Sequence, residues 1–170
     1  DLPRPKMWQT EPPSSYIGGA CRSEDGARTW DCASNMPQTA LTHILLDSKS
    51  PVNSRTLYAT GFGRGVFKSV DGGKHWSLKN SGITGAEPFA WRLAGDPRRA
   101  LYLVIARRSY DGSIGNEGDG ALYRSTDGAQ HWTSVRLPEG VNGPHGLAVD
   151  TNDPKRLYLA AWGRRPLEIT

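Results

Sequence analysis

An eight-residue segment written three times constrains this chain more than any other feature. The copies are Ser23-Glu24-Asp25-Gly26-Ala27-Arg28-Thr29-Trp30, Ser69-Val70-Asp71-Gly72-Gly73-Lys74-His75-Trp76 and Ser125-Thr126-Asp127-Gly128-Ala129-Gln130-His131-Trp132. Each follows a run suited to a strand, such as Gly65-Val66-Phe67-Lys68 or Ala121-Leu122-Tyr123-Arg124, and each Trp opens another. Two extended runs around an Asp-Gly pair predict a β-hairpin. The Asp carboxylate, and more weakly the Ser hydroxyl, accepts hydrogen bonds from amides just ahead of it, while Gly adopts backbone angles that side chains resist. The Trp, at its fixed offset, is expected to fold its ring over the hairpin and shield it from water.

A longer period surrounds these corners. Residues 41–47, 55–60, 66–69 and 75–78 read as four strands, and residues 89–94, 100–106, 121–125 and 131–135 read as four more. A last unit gives strands at 145–150 and 156–161. Asp47, Asp96 and Asp150 each end a first strand, and Leu57-Tyr58, Leu101-Tyr102 and Leu157-Tyr158 each begin a second. Short antiparallel quartets repeated at this interval predict an all-β chain built of β-propeller blades. The expected organisation is one partial propeller over 1–170: an extended, Pro-rich arm (1–15), a trailing half-blade (16–34), full blades (40–80 and 88–136) and a leading half-blade (144–170).

The pattern Ser-x-Asp-x-Gly-x-Thr-Trp resembles the Asp-box, or BNR repeat, of sialidases, xyloglucanase-type glycosidases, sortilin-type receptor domains and photosystem assembly factors. Ala27 and Ala129 stand where the second Gly is usual, and His75 and His131 where Thr is usual. The resemblance implies a propeller in which Ser23, Asp25, Trp30, Ser69, Asp71, Trp76, Ser125, Asp127 and Trp132 are structural corner residues, remote from any active site.

Three blades' worth of strands fall short of the roughly four to eight that a propeller needs. The chain is therefore a piece of a larger propeller or a protomer completed by another chain that exchanges half-blades with it. The break at Pro166-Leu167-Glu168-Ile169-Thr170, where a third strand should follow, favours the piece. Partners are accordingly a glycan or protein ligand and further blades from the same or another chain.

Glycine at 20 and proline at 12 of 170 residues fit a turn-rich β protein rather than a helical one. A net charge of +4, with lysines and arginines spread along the chain, falls well short of a nucleic-acid footprint. No apolar run reaches membrane-spanning length, and the opening residues read as mature or excised sequence. Cys21 and Cys32 flank the first corner symmetrically, so in register they face one another across the hairpin. A disulfide follows, and with it an extracellular or periplasmic location; two reduced, partly buried thiols are the alternative.

Antiparallel meanders alternate their turns, so the corners share one end with the first-to-second turns. The second-to-third loops and the blade connections gather at the other, where a propeller typically holds its ligand. Arg64, Arg108 and Arg164 each lie seven residues after a Leu-Tyr, and Arg107 and Arg165 adjoin two of them. Guanidinium forks grip carboxylates and phosphates, so such a ring suits an acidic glycan or an acidic protein surface. The competing reading is a set of solvated arginines covering blade edges. Trp91 is placed to stack on a sugar or to pack between blades, and His145 to hydrogen-bond; with His43 it makes too poor a set for a metal. The loop 109–120 carries Asp111, Glu117 and Asp119, which offer oxygens for Ca²⁺ or an acid and base for glycoside hydrolysis, without the spacing that establishes either. No cofactor is otherwise expected. The leading expectation is a non-catalytic recognition module. A glycoside hydrolase fragment of the sialidase or xyloglucanase type is the alternative, and a structural subunit of an assembly is the third.

Overall fold

The computed structural model describes residues 18–96, 98–106 and 120–164, with the backbone alone at 163 and 164. The expected arm, and the loop bearing Arg107, Arg108, Asp111, Glu117 and Asp119, lie outside the described residues, as does Arg165.

The described residues form antiparallel sheets whose strand order follows the chain. β1 (Cys21–Arg22) pairs with β2 (Asp31–Cys32). A first blade comprises β3 (Leu41–Leu46), β4 (Leu57–Gly61), β5 (Gly65–Ser69) and β6 (Ser77–Leu78). A second comprises β7 (Ala90–Asp96), β8 (Ala100–Ile105), β9 (Ala121–Ser125) and β10 (Thr133–Val135). β11 (Val141–Val149) pairs with β12 (Leu157–Arg164). Among the described residues the helical content is one 3-10 turn, Val52–Ser54. This is the arrangement of propeller blades: two quartets flanked by two half-blades.

The corners fold as their residue types dictate. In the second copy, the Ser69 hydroxyl donates to Asp71 (2.8 Å) and accepts from the Gly73 amide (2.9 Å), while Asp71 accepts from the His75 amide (3.0 Å). The first copy repeats this with Ser23, Asp25, Ala27 and Thr29, and the third with Ser125, Asp127, Ala129 and His131. Ala27 and Ala129, at φ 68° and 67°, hold a left-handed conformation that Gly73 adopts at lower cost.

This network corrects one expectation. The fourth strands begin at Ser77 and Thr133 rather than at His75 and His131, because the amides of both histidines are spent on the Asp carboxylates.

The tryptophans differ from one another as well. Trp76 closes its own hairpin, donating Nε1 to the Gly73 carbonyl (3.0 Å). Trp132 instead donates Nε1 to the Lys79 carbonyl (2.9 Å) and its amide to Ser81 (2.8 Å), both in the preceding blade's trailing segment. Trp30 lies exposed, with no such blade before it among the described residues.

The core sits between neighbouring sheets. Tyr58 and Val66 of the first blade meet Leu93, Leu103, Tyr123 and Trp132 of the second. Ala59, Phe67 and Trp76 close on Ala20 of the first half-blade and Met36 of the connection after it, and Tyr102 and Val104 on Leu147 of the last half-blade. Lys68 crosses a joint, reaching the Gly128 carbonyl at 2.9 Å. At the same joint a Cβ on Gly82 would collide with the Trp132 carbonyl, so the blades approach where no side chain fits. Cys21 and Cys32 are directly paired and joined by a disulfide.

Candidate ligand-binding face

The Gly72 amide donates to the Arg55 carbonyl (2.9 Å), so the corner lies beside the first-to-second turn. The opposite face therefore carries the starts of β3, β7 and β11, the 62–64 turn and the blade connections.

Each of those innermost strands is bulged, β3 and β7 at their second residue and β11 at its fifth. The register skips one residue between Leu41 and His43, between Ala90 and Arg92, and between Pro144 and Gly146. The extra residues are Thr42, Trp91 and His145, each five before the Asp that ends its strand. A bulge unpairs one residue and re-aims its side chain, and bulges recur beside binding sites. Trp91 and His145 were legible as candidates, His43 and His145 as neighbouring but unequal positions, and the bulges give Trp91 and His145 one place in the repeat. Counting back from Asp47, Asp96 and Asp150 adds Thr42 to the set.

The three bulged residues have different surroundings. The Thr42 hydroxyl donates to the Ala90 carbonyl (2.9 Å) and lies 2.8 Å from the Thr60 hydroxyl, tying the first blade to the second. Trp91 is half-buried, its ring edge-on to Phe62 at 5.8 Å. The His145 ring lies 5.1 Å from that of Trp162, and its Nδ1 has no hydrogen-bond partner among the described residues. His43, one place on from Thr42, accepts from the Leu93 amide (3.4 Å); burial, and then the charge of Arg92, hold its imidazole below the usual range.

Arg64 is exposed in the turn after β4, and its backbone is pinned by Gly61 and Asn80. Arg164 differs from the expectation that it opens a loop: its backbone is still in β12, opposite Val141. The described residues thus join Trp91 to Phe62 and His145 to Trp162, and leave Arg64 reaching into solvent. Among the described residues, Glu87 and Glu139 are the carboxylates on this face, one on each of the connections 79–89 and 136–140. No described group of three His, Cys, Asp or Glu is arranged to hold a metal ion.

A cavity of about 600 Å³ lies against the innermost strands toward the corner end, lined by His43, Asp47, Lys49, Asp96, Arg99 and Asp150 among others. Its carboxylates are committed to turns. Asp47, Asp96 and Asp150 each accept the amide two residues on, at 2.8 to 3.0 Å, and Lys49 bridges to Asp96 at 3.4 Å. The corner end is built for structure.

No family model matches the sequence. In sequence the chain is similar to xyloglucanase Xgh74A of Acetivibrio thermocellus, 27% identical over 161 aligned residues that take in 77% of this chain. It spans only 18% of that relative's length. In structure it is similar to the GH74 xyloglucanase of Xanthomonas campestris (TM-score 0.59, 20% identity, 83% of this chain and 23% of that one). It is similar also to the GH74 enzyme of Niastella koreensis (TM-score 0.62, 21% identity, 83% and 21%). The YCF48 protein of Cyanidioschyzon merolae matches at a TM-score of 0.50 and 17% identity, over 72% of this chain and 31% of that one. The chain shares the β-propeller fold with these structures.

Proposed function

We propose that this chain is a secreted Asp-box propeller segment that recognises a glycan through the face opposite its corners. The observation carrying this reading is the set of matched bulges at Thr42, Trp91 and His145, each of which takes one residue of an innermost strand out of the ladder at the same place in the repeat. Trp91 supplies an aromatic surface for the apolar side of a sugar ring. Arg64, with Arg108 and Arg164, supplies the forked donors that grip a carboxylate or sulfate on an acidic glycan. The disulfide suits an oxidising compartment, hence secretion. The sequence likeness to a xyloglucanase favours a glycan over a protein ligand.

Retention on an immobilised anionic glycan tests this reading. The chain is expected to be retained at low salt, and the Arg64→Ala/Arg108→Ala/Arg164→Ala variant to elute early. Equal retention of the two refutes the arginine assignment. Loss of binding to neutral xyloglucan oligosaccharides in Trp91→Ala tests the stacking role separately.

That same likeness supports a second reading, in which the chain is part of a glycoside hydrolase. Such chemistry needs an acid and a second carboxylate across the scissile bond, and Glu87 and Glu139 are on the correct face. Release of reducing ends from xyloglucan, abolished by Glu87→Gln or Glu139→Gln, supports hydrolysis; its absence leaves recognition.

A further inference from the structure

The innermost strands β3 and β7 end their sheets, so each has one edge outside the ladder whose N–H groups need partners from elsewhere. His43 provides one such partner. Its Nδ1 accepts from the Leu93 amide of β7 (3.4 Å), a bond that crosses from the first blade to the second. Burial, and then the charge of Arg92, disfavour the imidazolium. With Nδ1 committed as an acceptor, the proton of the neutral ring sits on Nε2. Among the described residues no group accepts from Nε2, and His43 lines the cavity against the innermost strands.

Counting from the Asp that ends each strand gives His43 two equivalents. His43, Arg92 and Gly146 each stand four places before Asp47, Asp96 and Asp150. Arg92 is directly opposite Val104, so it lies on the face of its sheet where Val104 packs with Leu147 of the last half-blade. Its side chain is exposed, and among the described residues it has no ion-pair partner. Asp96, on the same strand, lies about 13 Å along the extended backbone and is engaged by the Arg98 amide and Lys49. At Gly146 a Cβ would lie 2.8 Å from that of Ala160, so the third place carries no side chain.

The set therefore brings together two donors from two blades, close enough for the Arg92 charge to act on the His43 ring, and no acceptor. A hydroxyl both donates and accepts, so it would leave its own proton without a partner here. A carboxylate only accepts, and gains a charge-assisted bond to the guanidinium.

Resting on the reading that this face recognises a glycan, we infer that His43 and Arg92 form a subsite for the carboxylate of a uronic acid residue. The Arg92 fork grips the carboxylate and the His43 Nε2–H donates to it from the neighbouring blade. Both residues stand apart from Arg64, Arg108 and Arg164, and Arg92 directly follows Trp91 in the chain.

Calorimetric titration of the full chain with an oligogalacturonide, and with the same oligosaccharide after its carboxyls are reduced to alcohols, is the test. The acid form is expected to bind about tenfold or more tighter than the reduced form. Arg92→Met, a change at an exposed position, abolishes that preference and leaves the β circular dichroism spectrum unchanged. His43→Leu weakens the preference, whereas His43→Gln, which keeps an acceptor for the Leu93 amide and an N–H donor, retains it. Equal binding of the two forms, no binding of the acid form, or a preference indifferent to Arg92→Met overturns the inference. If the parent chain is still retained on a sulfated glycan column in any of these cases, the broader reading of the face stands; if it is not retained either, both fall.

Discussion

Replacing Ser125 with alanine isolates what one corner contributes. The Ser125 hydroxyl is almost fully buried; it accepts from the Ala129 amide at 3.0 Å and donates to Asp127 at 2.8 Å. Ala129 is inaccessible to water, packed in the cluster that joins the two blades. The substitution strands that amide in the core, and a buried donor without a partner costs about 1 to 3 kcal/mol. Asp127 keeps the Gln130 and His131 amides, so the turn persists and the loss stays near the middle of that range, about 2 kcal/mol. For a chain of this size that lowers the melting temperature by about 4 to 8 °C. Urea unfolding followed by circular dichroism measures it, with the exposed Ser134→Ala as control, expected within about 0.5 kcal/mol of the parent. Ser69→Ala, which strands the buried Gly73 amide, should match Ser125→Ala. A Ser125→Ala midpoint indistinguishable from that of Ser134→Ala refutes the corner as a stabilising device.

Lys68→Met removes a charged donor from the Gly128 carbonyl and a cation from the Tyr58 ring, and should cost about 1 to 2 kcal/mol in the same urea assay. Acid should weaken the fold in a defined window. The Thr29 hydroxyl and amide and the Ser23 hydroxyl hold Asp25 at about 2, against an ordinary 3.8. Asp71 and Asp127 are lowered too, chiefly by the His75 and His131 amides. A depressed carboxylate stabilises above its unfolded value and loses that contribution as pH falls through its folded one. Melting temperature should therefore decline as pH drops from 3.8 toward 2, and a flat profile there refutes the assignment. Reducing the Cys21–Cys32 bond, which closes a separation of 11 residues, should destabilise by about 3 kcal/mol in the chain-entropy account, read as a lower melting temperature with reductant.

The sheets and corners were readable because their determinants are close in sequence. Ser69, Asp71, Gly73 and His75 find one another within six residues, and strand pairing propagates from that fixed turn. The symmetric placement of Cys21 and Cys32 followed from the same register. The candidate face was only partly readable. Trp91 and His145 stood out by residue type, but a bulge is a disagreement between two strands and leaves no mark in either alone. The partnership of Thr42 with Ala90 spans 48 residues and a change of blade, so no local pattern announced it.

The fates of the three tryptophans divide the two levels most clearly. Sequence alone put an indole at the same offset from each Asp-Gly corner and so determined the hairpins, their register and the blade repeat. Tertiary structure alone decided that Trp76 closes its own hairpin and Trp132 bonds across a joint, while Trp30 is exposed among the described residues. Turn hydrogen bonds are satisfied within a few residues, whereas burial depends on which neighbouring sheet is present to exclude solvent.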